Sequence, residues 1–186
     1  MSFFWSAMNI ETKRLVLRNV EPEDAQFLAD LVNNPEVRNL LGAYSLVFPV
    51  SVEVESRWIA EASKKENEAH LILAKKKGLV PMGILSIKEV SLRNGSAHLS
   101  IIIQEKDWDK GYGTEAISGL LEFMFMRLNG HRIWLRVDVR NARAIRCYEK
   151  CGFKVEGTLR EDHFAAGKWQ DSYIMSILRS EYGGKS

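Results

Sequence analysis

The sequence predicts a mixed α/β fold in one domain: a central twisted sheet of about seven strands flanked by about four helices, in the order β-α-α-β-β-β-α-β-α-β-β. Three observations carry this. The chain has 186 residues, close to the length of one domain. Segments in which apolar and polar residues alternate keep giving way to segments with apolar residues three and four apart, the periods of strand and helix. Short turns bearing glycine, asparagine or lysine separate them, with no repeat or low-complexity tract.

The first strand is read at Lys13–Asn19, where apolar and basic residues alternate. Glu21-Pro22-Glu23-Asp24 opens a helix, since proline suits a first turn and acids favour the positive end of the helix dipole. Phe27, Leu28, Leu31 and Val32 form its apolar stripe. A second helix starts at Ser51, an N-cap residue, with Glu53 and Glu55 early and Trp58, Ile59 and Ala62 facing inward. Ala69–Ala74, Pro81–Val90 and Gly95–Gln104 read as a strand meander, because Lys75-Lys76-Lys77-Gly78 and Arg93-Asn94-Gly95 are turns. A helix over Tyr112–Leu128 shows Ile117, Leu120, Leu121, Met124 and Leu128 at helical spacing. Strand Ile133–Val139 and helix Asn141–Lys150, stopped by Gly152, follow. Phe153–Ala165 and Lys168–Leu178 are two final strands joined at Ala166-Gly167. The sheet is therefore antiparallel at its start, with one right-handed parallel crossover.

Composition narrows the function by exclusion. Lys and Arg number 26 against 24 Asp and Glu, a net charge of +2, which gives no electrostatic footprint for nucleic acid or a membrane surface. No stretch approaches the roughly 20 apolar residues of a spanning helix. Cys147 and Cys151 form neither a disulfide framework nor a CxxC, which fits a reducing, cytoplasmic setting with both thiols buried and structural. His70, His131 and His163 lack metal-ligand spacing, so no metal is expected. Residues 1–8 are expected to be a poorly ordered leader, with Met8 an alternative start; 9–182 form the domain and 183–186 a flexible tail. A homodimer is the commonest arrangement among soluble oligomers.

The segment that carries chemistry is Ser96–Gln104 followed by Trp108-Asp109-Lys110-Gly111-Tyr112-Gly113-Thr114-Glu115-Ala116. A strand runs out, a glycine turn follows and a helix begins, so unpaired amides at the positive end of a dipole can hold phosphate. Gly111 and Gly113 let an anion approach the backbone, Lys110 adds charge and Thr114 a hydroxyl. A plain glycine turn capping a helix is the competing reading. The Walker pattern is absent. Gly111-x-Gly113-x-x-Ala116 does match the dinucleotide fingerprint, with Asp138 near the position of a ribose-binding acid. Against a nicotinamide enzyme stand the long gap between Ile103 and Gly111, the short chain left after Asp138, and the preceding meander.

Downstream, Asn141-Ala-Arg-Ala-Ile-Arg-Cys-Tyr-Glu-Lys-Cys-Gly-Phe153 places Ala144 and Tyr148 on the helical face of an N-capping Asn141. Alone it reads as a capped helix with a core tyrosine. Together, a strand, [R/Q]xxGx[G/A] at a helix start, a strand and NxxAxxxYxKxGF resemble the GNAT superfamily of N-acetyltransferases. The opening Glu11-Thr-Lys-Arg-Leu-Val-Leu-Arg18, with Gly157-Thr-Leu-Arg-Glu161 and Gly167-Lys-Trp-Gln-Asp-Ser172, resembles its branch of ribosomal-protein N-terminal acetyltransferases and spermidine acetyltransferases. The likeness implies a GNAT-like fold, acetyl-CoA as co-substrate and a primary amine as acceptor. It further implies that Ile101, Ile102, Ile103, Asp109, Lys110, Gly111, Tyr112, Gly113, Thr114 and Asn141 bind the coenzyme. Two positions depart from the pattern: Trp108 stands where Arg or Gln is usual, and His98 where relatives often carry a glutamate that helps take the amine proton.

Amine acetylation dictates what such a site must supply. An alkylammonium, with a pKa between about 8 and about 10.4, must lose a proton before it attacks. The carbonyl oxygen then needs a fixed donor, and the leaving sulfur a proton. The resemblance implies Tyr148 for that last step, a phenol that stays protonated at neutral pH. His98 is the candidate base, against the blander reading of a strand histidine facing solvent or a carbonyl. The acceptor is expected beside the first two helices, the Leu40–Val50 connection and the last hairpin. That connection is nearly chargeless, and Asp30, Glu36, Glu53, Glu161 and Asp162 do not cluster in it, which fits a peptide N-terminal amine better than a polyamine. A polyamine acetyltransferase, a non-catalytic acyl-CoA-binding module and a nicotinamide enzyme stand as alternatives.

Overall fold

The computed structural model describes residues 9–41, 48–165 and 167–183. The leader 1–8, the middle of the 40–50 connection, Ala166 of the last turn and 184–186 of the tail lie outside the described residues. Strands β1 (Ile10–Glu11), β2 (Leu15–Asn19), β3 (Ala69–Lys75), β4 (Pro81–Ser91), β5 (Ser96–Ile103), β6 (Arg132–Asp138), β7 (Lys154–Ala165) and β8 (Lys168–Leu178) make one sheet in the order β1-β2-β3-β4-β5-β6-β8-β7. Every pairing is antiparallel except β5 with β6. A dinucleotide fold needs a series of parallel strands, so the nicotinamide alternative falls here.

The helices are α1 (Ala25–Asn33), α2 (Pro35–Arg38), α3 (Val52–Ala62), α4 (Tyr112–Glu122), α5 (Ala142–Lys150) and α6 (Arg179–Tyr182). The expected order holds, and β1, α2 and α6 are additions too short to show a period in sequence. Pro22–Asp24 form a 3-10 turn ahead of α1, where the Asp24 carboxylate accepts from Arg18 at 2.6 and 2.7 Å and from the Glu21 amide at 2.9 Å. The expected helix to Leu128 stops instead at Glu122, because Phe123–Arg127 make a π-helical turn. Met124 and Phe125 stay buried through that turn, which is why the apolar spacing reads on past the helix end.

Period-two alternation gives the sheet two distinct faces. Leu71, Leu85, Leu99, Leu135 and Met175 join Ala116, Ile117 and Leu120 of α4 in the larger core. On the opposite face Ile72, Ala74 and Ile84 pack with Leu28, Leu31 and Ile59 of α1 and α3. Beyond that apolar row the second face turns polar. Register sets His70 opposite Ser86 and Ser86 opposite Ser100, and in the next row Lys88 opposite His98 and His98 opposite Trp134. The parallel strands β5 and β6 pair only from Ser96 to His98 against Arg132 to Trp134, then part.

Candidate active site

Where β5 and β6 part, a cavity of about 540 Å³ opens against the polar rows. One wall is Ser100–Ile103 of β5, the turn through Trp108 and Gly111, and the Asn141–Tyr148 face of α5. The other wall is apolar, from Leu28 and Val32 of α1 to Trp58 of α3, and Ser86, Lys88, Arg136 and Asp138 complete the lining.

Packing fixes the turn from behind. The Trp108 indole donates to the Ile103 carbonyl at 2.7 Å, and Lys75 and Gln104 hold Asp107 at 2.7 and 2.5 Å. Burial pushes the Asp107 carboxyl up, but Lys75 and Gln104 outweigh it and hold it below its ordinary range. Gly111 caps α4 at φ +77°, and the first helical bond runs from the Glu115 amide to the Gly111 carbonyl. The amides of Tyr112, Gly113 and Thr114 precede that bond and point out of the helix at its positive end. A Cβ on Gly113 would stand 3.1 Å from Cys147 Sγ, so this glycine lets α4 and α5 close together. The Arg143 guanidinium lies 3.4 Å over the Trp108 ring and lines the same cavity. Trp108, where the usual pattern has Arg or Gln, thus seats the cation of Arg143. Free amides, a helix dipole and this guanidinium fit the diphosphate of a coenzyme.

Of the residues singled out in the sequence, Ile101, Ile102, Ile103, Asp109, Gly111, Tyr112, Gly113, Thr114, Asn141 and Tyr148 all line the cavity. Lys110 does not: its ammonium donates to the Lys106 carbonyl at 2.5 Å and lies 3.6 Å from Asp107. His98 does not either. It sits one row back, where β6 still pairs with β5, 2% exposed with its ring 4.5 Å from Trp134. Burial first, then Lys88 and Arg136, push its imidazole down to about 4. The expected base is thus neutral but has no face on the cavity.

Tyr148 is buried with its ring 5.9 Å from Phe153, and its phenol makes no hydrogen bond among the described residues. Burial, then the neighbouring thiols, push the phenol above its ordinary value. Cys147, expected to be a buried thiol, is half-buried and lines the cavity. Its Sγ lies 3.4 Å from Thr114 Oγ1, and the Cys151 thiol is the main cause lowering it to about 7. None of Asp30, Glu36, Glu53, Glu161 and Asp162 lines the cavity. The acid that does so from α3 is Glu55, 9% exposed, with no hydrogen bond or ion pair among the described residues and its carboxyl raised by burial. Its signal in sequence is its place four and seven residues before Ile59 and Ala62, on the inward stripe. Asp138 is held instead by Arg140, at 2.5 Å, and by His163 Nε2, at 2.9 Å. Among the described residues no group of three or more His, Cys, Asp or Glu could hold a metal, and no helix is long and apolar enough to cross a membrane.

Residues 14–154 match the model of the acetyltransferase (GNAT) domain. The chain is 33% identical over 175 residues to spermidine N(1)-acetyltransferase of Vibrio cholerae, covering 93% of this chain and 98% of that protein. It is 28% identical over 166 residues to the Escherichia coli (strain K12) protein of the same name, covering 89% and 87%. The solved structure of the V. cholerae spermidine N-acetyltransferase with CoA and spermine matches at a TM-score of 0.82 and 30% identity, over 90% of this chain and 97% of that one.

Proposed function

The chain belongs to the GNAT acetyltransferase family, and on that premise we propose that its acceptor is an aliphatic polyamine of the spermidine class. The protein is an acetyl-CoA-dependent N-acetyltransferase. The observation that carries the acceptor is Glu55, a buried carboxyl facing the cavity with no partner among the described residues. A polyamine joins ammonium groups by methylene chains. Leu28, Val32 and Trp58 suit the methylenes, and Glu55 suits an ammonium. Two relatives are spermidine acetyltransferases, which supports the polyamine more than the peptide N-terminus expected from the chargeless connection. The charge is supplied from α3, so the neutrality of residues 40–50 does not decide the acceptor.

Bound acetyl-CoA supplies the thioester whose acetyl group moves. In this reading the amides of Tyr112, Gly113 and Thr114, with Arg143, hold the diphosphate. The Ile101–Ile103 edge, past its pairing with β6, offers backbone N–H groups to the carbonyl oxygen. Tyr148 stays protonated and gives its proton toward the leaving sulfur. Glu55 holds a distal ammonium and so sets the reach of the reacting amine.

A panel of spermidine, spermine and N-terminal peptides, read by thiol release and by the mass gain of one acetyl group, tests this. Spermidine is expected to be acetylated and Glu55→Gln to raise its KM roughly tenfold or more with kcat little changed, as for loss of one charged hydrogen bond. Peptides turned over in preference to polyamines, or an unmoved KM, would overturn the assignment.

A further inference from the structure

One row of side chains crosses the polar face of the sheet at the cavity: His70 on β3, Ser86 on β4 and Ser100 on β5, each opposite the next. Ser86 and Ser100 line the cavity. His70 lies behind them, 5% exposed, covered by the Trp58 ring edge-on at 4.8 Å. Its Nδ1 is 2.8 Å from Ser86 Oγ, and its Nε2 is 3.3 Å from Glu68 Oε2. A hydroxyl open to the cavity is thus backed by an imidazole, and the imidazole by a carboxylate.

We propose that Ser86, His70 and Glu68 form the relay that takes the proton from the acceptor amine, with Ser86 touching the amine and the other two acting through it. The relay rests on amine acetylation in this cleft and not on the polyamine. The ammonium N–H passes a proton to Ser86 Oγ as the Oγ–H passes to His70 Nδ1. The amine becomes neutral, the serine is unchanged, and the imidazole becomes an imidazolium whose Nε2–H donates to the Glu68 carboxylate. No bond forms between the acetyl group and Ser86. The proton later returns to solvent by the same path.

The surroundings suit the task. Burial, the largest cause, holds the His70 imidazole below its ordinary value, so it is neutral and able to accept near pH 7. The charged groups that face it are Glu68 just before β3, which favours the imidazolium, and Lys88 on β4 and Lys65 after α3, which oppose it. Lys88 also lines the cavity, where its charge favours the neutral form of an arriving amine.

The test is the pH dependence of kcat and kcat/KM for wild type, Ser86→Ala, Ser86→Thr, His70→Gln and Glu68→Gln, with circular dichroism and acetyl-CoA affinity checked for each. The acceptor is whichever primary amine the wild type turns over best, so failure on polyamines alone leaves this test intact. Ser86→Ala and His70→Gln are expected to lose roughly 100-fold in kcat at pH 7, the scale of general-base catalysis. The loss should shrink as pH rises toward the amine pKa of about 10, where the substrate arrives neutral. Ser86→Thr should restore most of the rate. Glu68→Gln should move the acid limb to lower pH, because the imidazolium loses its counter-charge. A loss under threefold, a loss equal at every pH, no rescue by threonine, or an acetyl group trapped on Ser86 would overturn the relay. If His70→Gln fails to fold, the Ser86 pair still decides.

Discussion

Tyr148 and Cys147 are neighbours on one helix, yet their environments drive them apart. Burial raises the phenol, while hydrogen bonds from Cys151 and Thr114 lower the thiol to about 7. Near neutrality the phenol is therefore fully protonated, and no alkaline loss of activity between pH 7 and 10 should trace to it. Tyr148→Phe keeps the ring against Phe153 and removes only the O–H. Its kcat should fall roughly 100-fold, as for loss of a general acid, with acetyl-CoA affinity within about twofold. An unchanged kcat would take Tyr148 out of the proton path. Tyr148 was legible in sequence because it belongs to a short, local motif. Glu55 and Ser86 were not, because only tertiary packing brings α3 and β4 to one cavity, with His70 of β3 against Ser86. His98 lies off the cavity for the same reason: its own position sets its face, but where β5 leaves β6 sets its access.

At the scale of elements, the start of α4 shows how backbone conformation serves the site. Gly111 sits at φ +77°, and a Cβ there would find only Arg14 Nη2 at 3.5 Å, an ordinary contact. Gly111→Ala thus costs conformation rather than collision, roughly 1–2 kcal/mol for a left-handed residue with a side chain. The expected result is a lower Tm and weaker acetyl-CoA binding by calorimetry, with kcat at saturation nearly unchanged. A variant as stable as wild type would mean that α4 does not need a left-handed residue at its start. Most elements were readable because caps and turns announce them: Ser51 accepts from the Val54 amide and Asn141 from the Ala144 amide, as N-caps should. The end of α4 was not, since the π-turn keeps the apolar stripe buried and hides the change of hydrogen bonding. The parting of β5 from β6 leaves no mark in either strand's pattern, although it creates the cavity.

Over the whole molecule, acidic side chains tie together elements far apart in sequence. Glu115 of α4 accepts from Thr12 and Arg14 beside β2, and Asp107 accepts from Lys75 of β3. Asp138 joins Arg140 and His163 of β7, and Glu156 of β7 joins Arg132 of β6 and Ser176 of β8. All four carboxyls are held below their ordinary values, and Glu156 falls to about 2, first through Arg132 and then Ser176. A carboxyl whose folded value is depressed contributes stability above its unfolded value and loses it as pH falls through the folded one. For Glu156 that window runs from about pH 4.5 down to about 2. Its side chain is 39% exposed, so water screens the pair and its share is modest. Thermal melts across that range should show Tm falling steeply below pH 4.5. Glu156→Gln should lie below wild type at pH 7 and converge with it near pH 2, because protonation removes from the wild type the same charge that the variant lacks. A gap that stays constant with pH would mean that Glu156 acts through packing, and that the acid sensitivity belongs to the other depressed carboxyls, Asp107, Asp138 and Glu115.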